Sequence, residues 1–319
     1  MISSPPGSPG ARVLAFGGYQ PSRVVTNDDL AKTMDTNDEW IRSRVGIASR
    51  RIAEADESPV DMAVHAGGKA LAASGLAAAD IDLVIVATCS METAIPNAAG
   101  RVAHRLGIQA PGAYDVNAAC AGFCYALSAA SDAIRAGSAR HVLVVGTEKM
   151  SQWVDPGDRS TAVIFADGAG AAVVGPSETP GIGPVAWGSA GDKADVISVA
   201  DRRSHLFQEG QAVFRWATTS LHPVARAACE RAGVDPASLA AFVPHQANLR
   251  IVEAIARRLG ADGAVIARDI VDAGNTSAAS IPLALSRMIE RGEVRSGGLA
   301  LLLGFGAGLT YAGQVIELP

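Results

Sequence analysis

Two stretches of this 319-residue chain repeat one another. The run Ala73-Ser74-Gly75-Leu76, followed by Ile81-Asp82-Leu83-Val84-Ile85-Val86, resembles Arg231-Ala232-Gly233-Val234 followed by residues 239–243. Each run leads through a loop and a helical stretch to an Arg-Leu-Gly stop, at Arg105-Leu106-Gly107 and Arg258-Leu259-Gly260. Further along, Arg135-Ala136-Gly137 precedes a strand pattern at 141–146, as Glu290-Arg291-Gly292 precedes one at 299–304. Gly137 and Gly292 lie 155 residues apart, and the same step carries Cys120 onto Asn275 without a gap. A duplication restricts the fold severely, because two like units must bury their apolar faces against each other. The spacing predicts that Cys120 and Asn275 open equivalent helices in two halves related by a pseudo-twofold axis.

Apolar runs at 83–87, 142–145, 171–175 and 299–303 alternate with Ala-rich helical stretches, which predicts parallel strands buried between helices. The chain is 49% hydrophobic and long enough for two domains or a duplicated one. We expect a disordered lead-in over 1–12, a first half over 13–180 with the cysteine, and a second over 181–319 with His245 and Asn275. The start, rich in Ser, Pro and Gly, lacks the basic residues and apolar run of a signal peptide. The most apolar stretch, 299–311, is interrupted by Gly304, Gly306 and Gly308, so no membrane span is expected. A net charge of −5 argues against a general nucleic-acid binder. Four cysteines (Cys89, Cys120, Cys124 and Cys229) lack metal-ligand spacing, which predicts no metal and a cytoplasmic protein with reduced thiols.

The candidate chemistry sits at element ends. Cys120, in Ala118-Ala119-Cys120-Ala121-Gly122-Phe123, lies where the strand-like 113–116 gives way to a helix. Free N–H groups at a helix start favour a thiolate. Residues 121–133 are apolar on nearly every face, predicting a central buried helix, with Cys124 and Cys229 as core. His245, in Pro244-His245-Gln246-Ala247-Asn248, follows the strand-like 240–243. Asn275 begins Asn275-Thr276-Ser277-Ala278-Ala279-Ser280. A carboxamide cannot shuttle protons, but with the imidazole Nε2–H it can donate to a thioester oxygen that gains charge. That pair suits the enolate formed when a malonyl thioester loses CO₂, whereas a second cysteine acting as base would suit non-decarboxylative chemistry. The glycine turn 304–308 offers the Gly306 backbone as an oxyanion donor. A Cys-His-Asn hydrolase and a non-catalytic binding subunit remain open on these residues alone.

With these motifs, and with Asp167-Gly168-Ala169-Gly170-Ala171, the chain resembles the β-ketoacyl-acyl-carrier-protein synthase III family, actinobacterial members above all, from about Val13 to Leu318. The resemblance implies a thiolase-like, duplicated αβαβα layered α/β fold and a homodimer. It implies an acyl-CoA primer that acylates Cys120, with the oxyanion held by the N–H groups of Cys120 and Gly306. Malonyl-acyl-carrier protein, decarboxylated with the help of His245 and Asn275, would then attack to give a 3-oxoacyl-carrier protein. Both acyl carriers are substrates, and no cofactor is implied. Trp40, Arg44, Gln152, Gly210 and Asn248 would contact CoA; Arg215, Arg250, Arg257 and Arg258 would dock the acidic carrier protein; Ile95 and Phe305 would bound the primer. Gln152 stands where many relatives carry an arginine, and Asn117 where Ala or Ser is usual. A pathway-specific starter-unit synthase or acyltransferase of polyketide biosynthesis would keep the same three catalytic residues.

Overall fold

A computed structural model describes residues 6–201 and 203–319. Ten strands form two five-stranded sheets. The first holds β1 (Gly10–Tyr19), β2 (Leu83–Ala87), β3 (Gly112–Val116), β4 (Val142–Lys149) and β5 (Asp167–Ser177), in the order β1-β5-β4-β2-β3. The second holds β6 (Ala186–Ser189), β7 (Ala241–Pro244), β8 (Val265–Ile266), β9 (Leu299–Gly306) and β10 (Thr310–Glu317), in the order β6-β10-β9-β7-β8. Counted within its own half, each sheet has the same strand order. The duplication read from the sequence is a duplication of topology.

Only part of each sheet is parallel. β2 runs parallel to β3 and β4, and β7 parallel to β8 and β9. Strand β5, expected to be parallel, is antiparallel to both β1 and β4. No full helix separates β4 from β5, so the chain turns back instead of crossing over. The expected lead-in is also too long, since β1 begins at Gly10 and pairs there with Ser177. Residues 1–5 of that lead-in lie outside the described residues.

Five layers follow from where the apolar side chains point. Along β2, Val84 and Val86 face outward and Ile85 and Ala87 inward, the two-residue alternation of a strand. Helix α1 (Asp38–Val45) lies beside the cavity described below. The outward set packs against α2 (Pro59–Ser74) and α3 (Ala98–Arg105), through Met62, Ala66 and Val102. The inward set meets α4 (Gly122–Arg135), and on the far side Val243, Leu302 and Ile316 of the second sheet. Helices α5 (Gly210–Ala232) and α6 (Leu249–Leu259) cover the outer face of that sheet through Leu221, Ala225 and Ile255. The last helix, α7 (Ser280–Glu290), shares the middle layer with α4. Phe123, Leu127 and Leu285 are wholly buried there, each stabilising the fold by about 1.5–3 kcal/mol. Among the described residues, no helix is long and apolar enough to cross a membrane.

Two glycines let the halves interlock. A Cβ at Gly146 on β4 would sit 2.4 Å from the Ala278 carbonyl oxygen, in the turn that opens α7. A Cβ at Gly304 on β9 would sit 3.0 Å from Ala121 Cα, in the turn that opens α4. Each half thus presses a bare strand position against the other half's helix start. This crossing brings distant residues to one place.

Candidate active site

Cys120 lies in a single 3₁₀ turn, Ala119–Ala121, that runs into α4. The turn is entered by Ala119 in the left-handed region, with φ +44°, and its N–H donates to Asn117 Oδ1 at 3.3 Å. Non-glycine residues rarely accept that strain, and they hold it only where neighbours fix the backbone. The thiol is half-buried and ringed by protein, and burial pushes it up to about 12. Polar neighbours, the Ser277 hydroxyl and the backbone N–H of Cys120, oppose that shift, while the Glu148 charge adds to it. Helix-start N–H groups were expected to favour the thiolate; desolvation outweighs them.

The second half repeats this turn with different side chains. Ser277 has φ +49°, its N–H donates to Asn275 Oδ1 at 2.9 Å, and a 3₁₀ turn, Ser277–Ala279, runs into α7. By backbone conformation Ser277 therefore matches Ala119, and Asn275 matches Asn117, each pair 158 positions apart. The ungapped 155-residue match between Cys120 and Asn275 does not hold at this end. Helix α4 has 14 residues and α7 has 11, so the register slips by three inside the helix, and Cys120 corresponds to Ala278. Asn275 reaches the site from two residues before its turn, not from within it. Its backbone is clamped by Asn275 N–H to Ile164 O and Ala166 N–H to Asn275 O, both at 2.9 Å. Because Ser277 occupies the carboxamide oxygen, the NH₂ is the group left to face the cavity.

His245 continues β7 by one residue, its N–H bonded to Leu303 O at 2.8 Å. The ring is buried, lies 2.7 Å by its Nδ1 from Ser280 Oγ, and packs edge-on to Phe305 with centroids 5.2 Å apart. Burial lowers its pKa to about 3, so the imidazole is neutral at working pH. A Ser280 hydroxyl donating to Nδ1 leaves Nε2 as the N–H donor.

One cavity of about 710 Å³ is lined by Cys120, His245, Asn275, Ser277, Phe305 and Gly306. A Cβ at Gly306 would lie 3.0 Å from the Cys120 sulfur, so only glycine lets this strand approach so closely. The cavity can hold a thiol ester at Cys120 with N–H donors on one side and neutral donors on the other.

Of the expected CoA contacts, Trp40, Arg44, Gly210 and Asn248 line the cavity. Gln152 does not; its side chain is turned to the Ser90 carbonyl. Arg159 lies 4.7 Å over the Trp40 ring, closer than Arg44 at 5.9 Å. Arg159 carried no local signal in the sequence. Asn248 caps α6 and donates to Arg44 O at 3.2 Å, tying the outer helix to α1. Arg215 and Arg250 line the cavity, Arg250 stacked 5.1 Å over Phe214. Arg257 and Arg258 are exposed further along α6, and Arg258 is tied to the Thr218 carbonyl. Phe305 forms the wall behind His245, whereas Ile95 is 85% exposed and lines no wall of the cavity within one chain. An adjoining chamber of about 410 Å³ is walled instead by Met91, Met150, Trp153, Ile197, Val199 and Leu206.

Sequence reading missed Cys89 and Glu148. Cys89 lines both chambers, and the Glu148 carboxyl lies against it, fully buried. A signal was present, since Glu148 and Lys149 are charges closing an otherwise largely apolar buried strand.

Comparison with known proteins bears on this geometry. Family models described as 3-oxoacyl-[acyl-carrier-protein] synthase III match residues 114–191, and as its C-terminal part residues 229–318. β-Ketoacyl-[acyl-carrier-protein] synthase III 4 of Streptomyces coelicolor is 58% identical, over 97% of this chain and 99% of its own length. The mycobacterial β-ketoacyl-[acyl-carrier-protein] synthase III of Mycobacterium avium is 48% identical, over 100% and 99%. Among solved structures, the priming β-ketosynthase of the R1128 polyketide biosynthetic pathway superposes with a TM-score of 0.97. It is 46% identical and covers 100% of this chain and 99% of that one.

Proposed function

This chain belongs to the β-ketoacyl-acyl-carrier-protein synthase III family, as an actinobacterial-type condensing acyltransferase of thiolase fold, and from that premise we propose how its residues divide the work. The single observation that carries the reading is the shared cavity of Cys120, His245 and Asn275 at the junction of the halves.

Cys120 takes the acyl group from CoA, with the backbone N–H groups of Cys120 and Gly306 holding the oxyanion. The close approach of Gly306 to the sulfur supports this assignment. Malonyl-carrier protein follows, and loss of CO₂ leaves an enolate held by His245 Nε2–H and the Asn275 NH₂. Neutral donors suit this step, because the low pKa of His245 keeps it from protonating the carbanion. The enolate carbon attacks the Cys120 thioester and releases a 3-oxoacyl-carrier protein, the condensation that starts a fatty-acid chain.

Trp40 with Arg159 and Arg44 would hold the CoA adenine, and Arg215 and Arg250 the acidic carrier protein at the mouth. The adjoining, mostly apolar chamber would take the acyl chain of a straight or branched primer. A homodimer is supported by the free edge of β3 with its exposed Tyr114 and by the exposed Ile95, which a partner's cavity would cover. A working thiol at Cys120 supports a reducing, cytoplasmic setting. The likeness to a polyketide-priming ketosynthase favours, as a second reading, a starter-unit role with the same three residues.

Intact-mass analysis after mixing with a panel of acyl-CoA primers tests the reading. A single acyl adduct on Cys120, discharged as 3-oxoacyl product when malonyl-carrier protein is added, is the expected result. Steady hydrolysis of the adduct without condensation would point to a hydrolase. Exchanging Arg250 for Glu should weaken carrier-protein use and spare acylation by CoA; equal loss in both would remove the docking role.

A further inference from the structure

Arg50, on the short strand Ser49–Arg51, is 1% exposed, and among the described residues its guanidinium bonds only neutral oxygens. Nη1 and Nη2 both donate to Asn27 Oδ1 at 2.9 Å, Nη1 also to Val25 O at 3.3 Å, and Nη2 also to Val163 O at 3.0 Å. A buried cation held this way is poor ground for stability, because desolvation offsets what the bonds return. Its partners show what it positions instead. Asn27 gives its Oδ1 to Arg50, so its NH₂ faces the other way, donating to Asp38 Oδ1 at 2.7 Å and to Ile47 O at 2.8 Å. Asp38 opens α1 and Ile47 lies two residues past its end, so Asn27 holds at both ends the helix that carries Trp40 and Arg44 into the cavity. On the other side, Val163 O immediately precedes Ile164 O, which accepts the Asn275 N–H. The chain before Arg50 runs along the chain before Asn275: Ala48 N–H donates to Val271 O at 2.7 Å, and Ser49 Oγ to Asp272 O at 3.3 Å. A Cβ at Gly274 would sit 3.0 Å from Arg50 Cβ, so the arginine stem backs onto the residue before Asn275.

We propose that Arg50 is a positioning residue that sets two parts of the cavity at once: α1 for the nucleotide end of CoA, through Asn27, and Asn275 for decarboxylation, through Val163 and Gly274. The inference rests on Trp40 and Arg44 holding CoA and on Asn275 donating to the enolate. The planar fork is what makes the double role possible. One rigid group reaches Asn27 and Val163, which lie 23 and 113 positions from Arg50 along the chain. A lysine offers a point charge on a flexible stem, with no fixed fork to hold both at their present spacing. The two settings are joined through one side chain, yet their readouts stay separate. An acyl-CoA uses α1 as well as the thiol. A malonyl-carrier protein brings no adenine, so its loss of CO₂ depends on Asn275 and not on α1.

Two measurements separate this from a merely structural role: the KM for acetyl-CoA in Cys120 acylation, and the rate of CO₂ release from malonyl-carrier protein. Arg50→Met keeps the apolar stem and removes the fork. It should raise that KM and slow CO₂ release, each by about tenfold or more, within the roughly 10²-fold that a small misplacement costs. Asn27→Asp keeps an acceptor for Arg50 but, ionised at about pH 8, sets a carboxylate against Asp38. It should raise the KM about tenfold and leave the maximal acylation rate and CO₂ release within about threefold of the parent, the pattern of lost uniform binding. Arg50→Lys should recover at most one of the two readouts. CO₂ release falling together with the KM change in Asn27→Asp, recovery of both readouts in Arg50→Lys, or either readout unchanged in Arg50→Met would overturn the proposal. Should Arg50→Met not fold, the other two variants decide it. Trp40→Ala with an unchanged KM for acetyl-CoA, or Asn275→Ala with unchanged CO₂ release, would instead overturn the roles of those residues, whatever Arg50 does.

Discussion

The turns that open α4 and α7 share a backbone: an asparagine accepting from the residue two ahead, a left-handed non-glycine residue, a 3₁₀ turn and a helix. Their side chains have been divided between tasks. In the first, the asparagine (Asn117) is exposed and the position after the left-handed residue is Cys120. In the second, the asparagine (Asn275) is buried on the cavity that His245 also lines, and the position matching Cys120 is Ala278. The strands facing them differ in the same way. β9 brings bare backbone, Gly306, against Cys120, whereas β4 brings the Glu148 carboxyl against Ser277. Duplication supplied two equivalent cradles facing one cavity, and divergence left a thiol in one and a carboxamide in the other.

Replacing the nucleophile should separate the halves most sharply. Cys120→Ser should lose condensation by at least about 10³-fold, the scale seen when a nucleophile is removed. Intact-mass analysis with acyl-CoA would check it, and a persisting thioester adduct would mean the first cradle does not carry the acyl group. The next largest contrast lies between the two asparagines. Asn275→Ala should lower malonyl decarboxylation about 10²–10³-fold while self-acylation survives. Asn117→Ala, with its exposed bond, should change either step by less than about threefold. Equal losses in CO₂ release would erase the division of labour.

Stability offers a smaller contrast. Gly146→Ala forces a Cβ into a backbone carbonyl at 2.4 Å, and Gly304→Ala meets the opposite turn at 3.0 Å. Both should destabilise by about 1–3 kcal/mol, with Gly146→Ala the worse. Denaturant midpoints would rank them, and a reversed order would mean the second half's turn is the softer one. The smallest effect, taken per pH unit, is a pH slope that the matching strand end of the first half lacks. His245 has a folded pKa near 3 against an ordinary 6.5, so below pH 6.5 the unfolded chain binds a proton that the folded chain refuses. Its contribution is fully present above pH 6.5 and is lost as pH falls toward 3, by at most about 1.4 kcal/mol per pH unit. Ala87, at the matching strand end, has nothing to titrate. The stability gap between the parent and His245→Gln should therefore narrow on acidification; a constant gap would place the pH dependence elsewhere.

Much of this was legible beforehand. Apolar runs marked β2, β4, β7 and β9, and the apolar-all-round stretch after Cys120 marked the central α4, because burial on both faces leaves no polar stripe. His245 and Asn275 were legible because each follows a strand or precedes a helix, where a side chain can leave the backbone ladder for a cavity. Strand direction in β5 was not legible, since an apolar run looks the same whichever way it is traversed. The partners of Glu148 and Arg159 were hidden for a different reason, since Ser277 and Trp40 lie more than a hundred residues away in the chain.

The amino-acid order alone determined that there are two like units, which elements they contain and which three side chains have the chemistry for acyl transfer. Those properties depend on local periodicity and on residue type. Which atom of each half faces which atom of the other was decided by the tertiary structure. The slip of three residues inside the middle-layer helices arises there, because helix length is set by packing between two sheets and leaves no mark on the repeat's end points. Burial was decided there too: it turned a thiol expected to ionise into one held protonated, and it set a glutamate near a strand end against Ser277 of the other half.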